Sequence, residues 1–184
     1  MKKIVSLIVC FSFLIFPCLS QGTGSAGNAE TYLSLAAMHY MNEDYDSAID
    51  SSTQAIRINP NLANAYALRG LSYSGKEEYD RAIADLNQAI RLDPNNAMAY
   101  DIRGSVYWNK DDFTRAIADY TQEIRINPTE ADAYGKRGLM YMFLPKPELD
   151  RAIADFQTAL RLNPDDSRSA MWLRQAQQQR GQKK

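Results

Sequence analysis

The stretch Ala63–Pro94, ANAYALRGLSYSGKEEYDRAIADLNQAIRLDP, is one of four copies and decides the fold. The copies begin at Ala29, Ala63, Ala97 and Ala131. Each closes on an Asn-Pro or Asp-Pro pair: Asn59-Pro60, Asp93-Pro94, Asn127-Pro128 and Asn163-Pro164. The prolines are 34, 34 and 36 residues apart. A fixed period of this length marks a solenoid, in which each unit buries its apolar face only against its neighbours. The units are residues 29–62, 63–96, 97–130 and 131–166.

Numbering each unit from its first alanine, position 4 is Tyr32, Tyr66, Tyr100 and Tyr134, and position 8 is Ala36, Gly70, Gly104 and Gly138. Position 11 is His39, Tyr73, Tyr107 and Tyr141. Spacings of three and four put these residues on one face of a first helix, A. Ala48, Ala82, Ala116 and Ala152 occupy position 20, with isoleucine following in every copy. Ser52, Leu86, Tyr120 and Phe156 at position 24, then Ile56, Ile90, Ile124 and Leu160 at position 28, complete the apolar stripe of a second helix, B. Small residues at positions 8 and 20 let the two helices approach closely. A leucine at Gly104 is expected to overpack the pair at a cost of about 1–3 kcal/mol. The closing proline ends helix B and biases the Asn or Asp before it away from helical angles.

This pattern resembles the tetratricopeptide repeat: aromatic at 4, small at 8, aromatic at 11, alanine at 20, aromatic at 24, alanine at 27, proline at 32. The resemblance covers Ala29 to Asp166 in four tandem copies. It implies an all-α, right-handed superhelix of antiparallel helix pairs, with the A helices on the concave side. The departures are local. The fourth unit carries two extra residues, in the turn Leu144-Pro145-Lys146-Pro147, a candidate contact loop or a tolerated insertion. The first has Ser52 and His39 where aromatics are expected, which suits a terminal unit with less to bury. Residues 167–180 are expected to form a polar-faced capping helix, with Met171, Trp172 and Ala176 covering the fourth unit and residues 181–184 a tail.

Comparison of the units exposes a charged pair. Position 7 is Arg69, Arg103 and Arg137, and position 23 is Asp85, Asp119 and Asp155; in the first unit both change together, to Leu35 and Ser51. Joint loss is the behaviour of a structural bridge, because one partner alone leaves a partly buried charge unpaired. Arg57, Arg91, Arg125 and Arg161 are expected at helix B C-termini, where positive charge is favoured.

The N-terminus is of another kind. Lys2 and Lys3 precede the apolar run Ile4–Phe16, then Pro17 and Cys18-Leu19-Ser20. This reads as a secretory signal peptide over residues 1–20, cleaved after Ser20 with Ala26 the second choice. A flexible leader follows over residues 21–28. The apolar run is short for a membrane span, which takes roughly 20 residues. Cys10 and Cys18 are the chain's two cysteines, so the mature chain forms no disulfide. Lipidation at Cys18 is the alternative. The expected location is periplasmic or secreted.

Catalytic chemistry is not expected. The chain has one histidine, His39, at a position where the other units place core tyrosines, and packing is the expected role. One histidine and no mature cysteine assemble no ordinary zinc site, and Gly22 and Gly24 form no phosphate loop. A net charge of −1 gives no reason to expect nucleic acid. No cofactor is expected.

The resemblance implies that helix A positions 2, 5, 6, 9, 12 and 13 face the groove. On this sequence the expected partner contacts are Leu33, Tyr40, Met41, Leu71, Ile102, Trp108, Lys136, Leu139, Met142 and Phe143. One subtype of the family grips chaperone-tail carboxylates with lysine and asparagine at positions 5 and 9. Leu33 and Ala37, or Ala67 and Leu71, stand there instead, so that clamp is absent. The expectation is an exported adaptor that holds a protein or peptide in an apolar groove. A structural subunit or lipoprotein assembly factor of a cell-envelope complex, with self-association through the end units, is the alternative.

Overall fold

The computed structural model describes residues 28–182. The expected signal segment, its cleavage site, Cys18, residues 21–27 of the leader and the last two residues of the tail lie outside them. Nine helices run through the described residues: α1 (Ala29–Met41), α2 (Tyr45–Ile58), α3 (Ala63–Gly75), α4 (Tyr79–Leu92), α5 (Ala97–Asn109), α6 (Phe113–Ile126), α7 (Ala131–Phe143), α8 (Leu149–Leu162) and α9 (Ser167–Gln182). Odd-numbered helices are the A helices and even-numbered ones through α8 the B helices. Each A helix packs on its own B helix, and each B helix on the next A helix. The closing helix extends to Gln182, two residues beyond the expected Arg180.

Punctuation between helices follows from side-chain chemistry. The B helices stop at Ile58, Leu92, Ile126 and Leu162, two residues before each proline. At three of the junctions the Asn or Asp before the proline accepts a hydrogen bond from the backbone N–H two residues on: Asn59 from Asn61, Asp93 from Asn95 and Asn163 from Asp165. These Asx turns explain why an Asn or Asp precedes the proline. In the first three units the A-to-B turn is a Schellman closure whose left-handed residue is Glu43, Glu77 or Asp111, at φ of 57–63°. Asp44, Glu78 and Asp112 then donate their backbone N–H to the position 11 carbonyls of His39, Tyr73 and Tyr107. In the fourth unit Glu148 donates to the corresponding carbonyl of Tyr141. The insertion Pro145-Lys146 therefore loops outward without displacing the second helix.

The close approach of A to B is steric. A methyl group at Gly70 would lie 2.9 Å from Leu86 Cγ, at Gly104 2.8 Å from the Tyr120 ring, and at Gly138 3.0 Å from the Phe156 ring. Large position 24 side chains thus occupy the space that glycine leaves, and all three are fully buried. The first unit inverts the pairing: Ala36 adds the methyl group and Ser52 gives up the ring, both at 0% exposure. The Ser52 hydroxyl is buried without a partner.

Each arginine at position 7 does more than bridge its own unit. Arg103 donates from Nε (2.8 Å) and Nη2 (2.7 Å) to both carboxylate oxygens of Asp119, and from Nη1 to Asn87 of the preceding B helix. Arg69 joins Asp85 and Thr53 in the same way, and Arg137 joins Asp155 and Thr121. One guanidinium therefore ties three helices from two units. Among the described residues no B helix precedes the first unit, which is a second reason for Leu35 and Ser51 there.

Two further pairs change together between units. Arg81, Arg115 and Arg151 lie over the rings of Tyr73, Tyr107 and Tyr141, whereas the first unit has Ser47 and His39. Half-buried His39 instead places Nδ1 3.7 Å from Asp44. Along the outer edge, Lys76 pairs with Asp46 and Lys110 with Asp80, each reaching back one unit. Where Leu144 removes the next cation, Thr114 replaces the acid. The ladder resumes with Arg180 to Asp150, so α9 occupies the place of a fifth A helix. These outer pairs are solvent-exposed and contribute little each.

Breaking the buried bridge should be costly. Asp119→Ala is expected to lower stability by about 3 kcal/mol in urea denaturation, and the double variant Arg103→Met, Asp119→Leu to recover most of that loss. Ser52→Ala should raise stability by about 1 kcal/mol in the same assay, because an unpaired buried hydroxyl is removed.

Candidate functional site

The A helices carry most of the exposed large hydrophobic side chains. Among the described residues, the large exposed hydrophobic side chains are Met38, Met41, Ile58, Met98, Phe143 and Met171, and all except Ile58 lie on A helices. Met41 is 77% exposed and Phe143 44%. Phe143 stacks on Phe113 at 5.8 Å between ring centres and meets the edge of Trp172 at 6.2 Å. Leu33, Tyr40, Leu71 and Trp108 are half-buried. Three expected groove contacts are corrected: Ile102, Leu139 and Met142 are 4%, 9% and 8% exposed and belong to the core. The reason is geometric. These three side chains turn into the joints with neighbouring helices, where Ile102 packs in the cluster around Leu86 and Val106, and Leu139 and Met142 in that around Tyr120 and Phe156.

Lys136 sits in the same kind of core slot. Position 6 holds Leu68 and Ile102 in the two preceding units, both buried, but lysine in the fourth. Its side chain is 14% exposed, and Nζ reaches Asp101 Oδ1 at 2.5 Å and Asp132 Oδ2 at 2.9 Å. Burial disfavours the ammonium, but the two aspartates outweigh that cost and hold its pKa above the usual lysine range. Asp132 also receives Arg168 of α9 at 2.8 Å. Burial opposes ionisation of Asp132, yet Lys136 and Arg168 hold its carboxyl below the usual range. Gly135 admits α9 here, since a methyl group would lie 2.9 Å from Ser169 Oγ.

Beneath this pair lies Glu123 of α6, 6% exposed. It stands at position 27, where the other units have the fully buried Ala55, Ala89 and Ala159. Its Oε2 is buried with no hydrogen-bond partner. Burial, followed by the charge of Asp101, pushes its carboxyl up to about 8, with Asp132 and Glu130 adding to the rise and Lys136 opposing it. Next to it the Tyr120 hydroxyl, raised by burial, lies 3.2 Å from Ser105 Oγ. Asp101, Glu123, Asp132 and Lys136 thus form a polar island in an apolar joint. Sequence reasoning singled out Lys136 and missed Glu123. The signal was available, because Glu123 is the one break in a column of alanines.

The backbone differs at this place too. Helices α1 and α3, α3 and α5, and α7 and α9 come into contact, whereas α5 and α7 approach one another least among neighbouring A helices. Among the described residues, no group of three or more His, Cys, Asp or Glu side chains is arranged to hold a metal ion. No described helix is long and apolar enough to cross a membrane.

The tetratricopeptide repeat family model matches residues 68–136. A structure of MamA protein is 27% identical over 83% of this chain and 82% of its own, with a TM-score of 0.73. The first repeat domain of Spaghetti (RPAP3), bound to the HSP90 peptide SRMEEVD, is 26% identical over 65% of this chain and 93% of its own, with a TM-score of 0.62. The first such domain of human RPAP3 is 27% identical over the same shares, with a TM-score of 0.60. Among curated proteins, none matches. With four in-register copies and this helix packing, the described residues carry the all-α solenoid fold of tetratricopeptide repeat structures, and the family model matches its central part. Such a fold is a protein-interaction scaffold.

Glu123 makes stability pH-dependent. Its folded pKa, about 8, lies above the ordinary value of 4.5. Below 4.5 the group is neutral in both states. Between 4.5 and 8 the unfolded chain gains by ionising and the folded one does not, so stability falls as pH rises and levels off above 8. The loss is up to about 1.4 kcal/mol per pH unit in that window. Glu123→Gln is expected to flatten this slope and to raise the melting temperature at pH 8 while leaving it nearly unchanged at pH 4.5. Thermal melts at the two pH values check it.

Proposed function

We propose that this protein is an exported adaptor that holds a segment of a partner protein against its A-helix face and catalyses no reaction. The observation that carries this reading is the one-sided distribution of exposed apolar surface: Met38, Met41, Met98, Phe143 and Met171 all lie on A helices. Flexible methionine and aromatic side chains on one face suit burial of a partner's apolar side chains. With its outward carbonyls and amides spent within helices, the solenoid binds through side chains and not through an open sheet edge. The peptide carried by the RPAP3 domain supports peptide capture by this architecture. The clamp residues expected for an acidic chaperone tail are replaced here by Leu33 and Ala37, which points to a different ligand.

Export rests on the basic-apolar-polar order of residues 1–20. Mass analysis of the mature N-terminus should show a chain beginning at Gln21. A mass increment of lipid on Cys18 would instead select the tethered form. The binding face is tested with a photo-crosslinking side chain placed singly at Met41, Met98 or Phe143, or at Arg57 or Arg91 on the B helices. In its native host, crosslinks to a common partner are expected from the first three positions and not from the last two. Crosslinks confined to the B positions would move the binding surface to the opposite face.

A further inference from the structure

The polar island between α5 and α7 has an imbalance that the fold does not require. Four carboxylates act on this point (Asp101, Glu123, Glu130 and Asp132), and two cations, Lys136 and Arg168, face them. Lys136 already spends two hydrogen bonds on Asp101 and Asp132. Arg168 lies on the outer side of Asp132 and is 71% exposed. Nothing in the described structure pairs Glu123 Oε2. Two preceding units solve the same joint with Leu68, Ile102 and Ala89, without polar side chains. Burying a carboxylate in place of alanine costs stability. A buried carboxylate oxygen left without a mate, where the other units bury alanine, calls for a partner from outside the chain.

We propose that the α5–α7 joint is a receptor for a cationic side chain, a lysine or arginine of the bound segment, held by Asp101, Asp132 and Glu123. This deepens the adaptor reading above and rests on it. Glu123 Oε2 is enclosed, so the entering side chain has to displace the cover over it; a lysine ammonium, with three donors, or an arginine, with five, then has enough donors for Oε2 and the two aspartates together. A carboxylate ligand is disfavoured, because it would meet Lys136 only past Asp101 and Asp132. The Ser105 and Tyr120 hydroxyls lie beside the joint and add polar contacts. Entry of the cation favours the ionised form of Glu123, so binding is coupled to release of a proton. The groups facing Glu123 in this linkage are Asp101, Asp132, Glu130, Lys136 and Tyr120.

The test uses residues 21–184 and four labelled apolar peptides of equal length that differ only in their central residue: lysine, arginine, norleucine or glutamate. Fluorescence anisotropy should show the lysine and arginine peptides binding at least tenfold more tightly than the norleucine peptide, with the glutamate peptide weakest. That advantage should shrink in wild type as pH is lowered from 9 to 6. In Glu123→Gln, whose fold is checked by circular dichroism, it should be small and independent of pH. Equal binding of the norleucine and lysine peptides overturns this inference and leaves the apolar groove standing. Tightest binding of the glutamate peptide overturns it in favour of Lys136 as the anchor. An unchanged lysine advantage in Glu123→Gln removes Glu123 from the receptor. Failure of all four peptides to bind overturns the groove reading together with this one.

Discussion

The guanidinium at position 7 is the interaction on which the rest of the solenoid depends. Arg69, Arg103 and Arg137 each clamp a buried aspartate of their own unit with two parallel hydrogen bonds and touch the preceding unit with a third. A repeat protein has few contacts between distant units, so its stability is set by each unit and its interface with the next. One side chain that serves both terms sets the angle within a pair and the step between pairs. The planar fork is what makes this work, since a lysine could satisfy neither the bidentate geometry nor the third acceptor. Around that joint, glycine at position 8 and a ring or leucine at position 24 fill the remaining space.

The units are therefore alike in mechanism and unlike in detail, and the unlikeness is organised. Substitutions come in pairs: Ala36 with Ser52, Leu35 with Ser51, His39 with Ser47, Leu144 with Thr114. In the last three cases a partner that would be stranded is withdrawn along with its mate, and in the first a methyl group is added where a ring is given up. Against this habit, the island at Asp101, Glu123 and Lys136 stands out. There apolar positions were exchanged for charge, and one carboxylate oxygen was left without a mate. The habit of paired change is what makes that exception informative.

Much of this was legible from the residues. Period, helix pairing, the small-residue contacts and the arginine–aspartate bridge all follow from comparing four copies, because a repeat supplies its own alignment. The groove was harder. Ile102, Leu139 and Met142 occupy positions that face outward in a general scheme, but their exposure depends on how the helices of adjoining units pack around them, a property of the pair of units and not of one residue. Glu123 was missed for a related reason. A buried acid on a B helix looks like surface charge until the depth of its alanine counterparts is known. The reach of each arginine into the preceding unit was hidden as well, since Thr53, Asn87 and Thr121 share hydrogen-bonding capacity but no single residue type.

The two ends of the solenoid are not equivalent. Helix α9 fills the place of a fifth A helix and is tied back by Arg168 to Asp132 and by Arg180 to Asp150. The opposite end has neither the guanidinium joint nor an arginine over its position 11 ring, and its second helix carries a buried unpaired hydroxyl. In a chain of nearest-neighbour couplings, the free energy of opening is lowest where the first link is weakest. The side-chain ties thus have a direction: each guanidinium reaches back to the unit before it, the series starts where Arg69 meets Thr53, and α9 closes it at the far end.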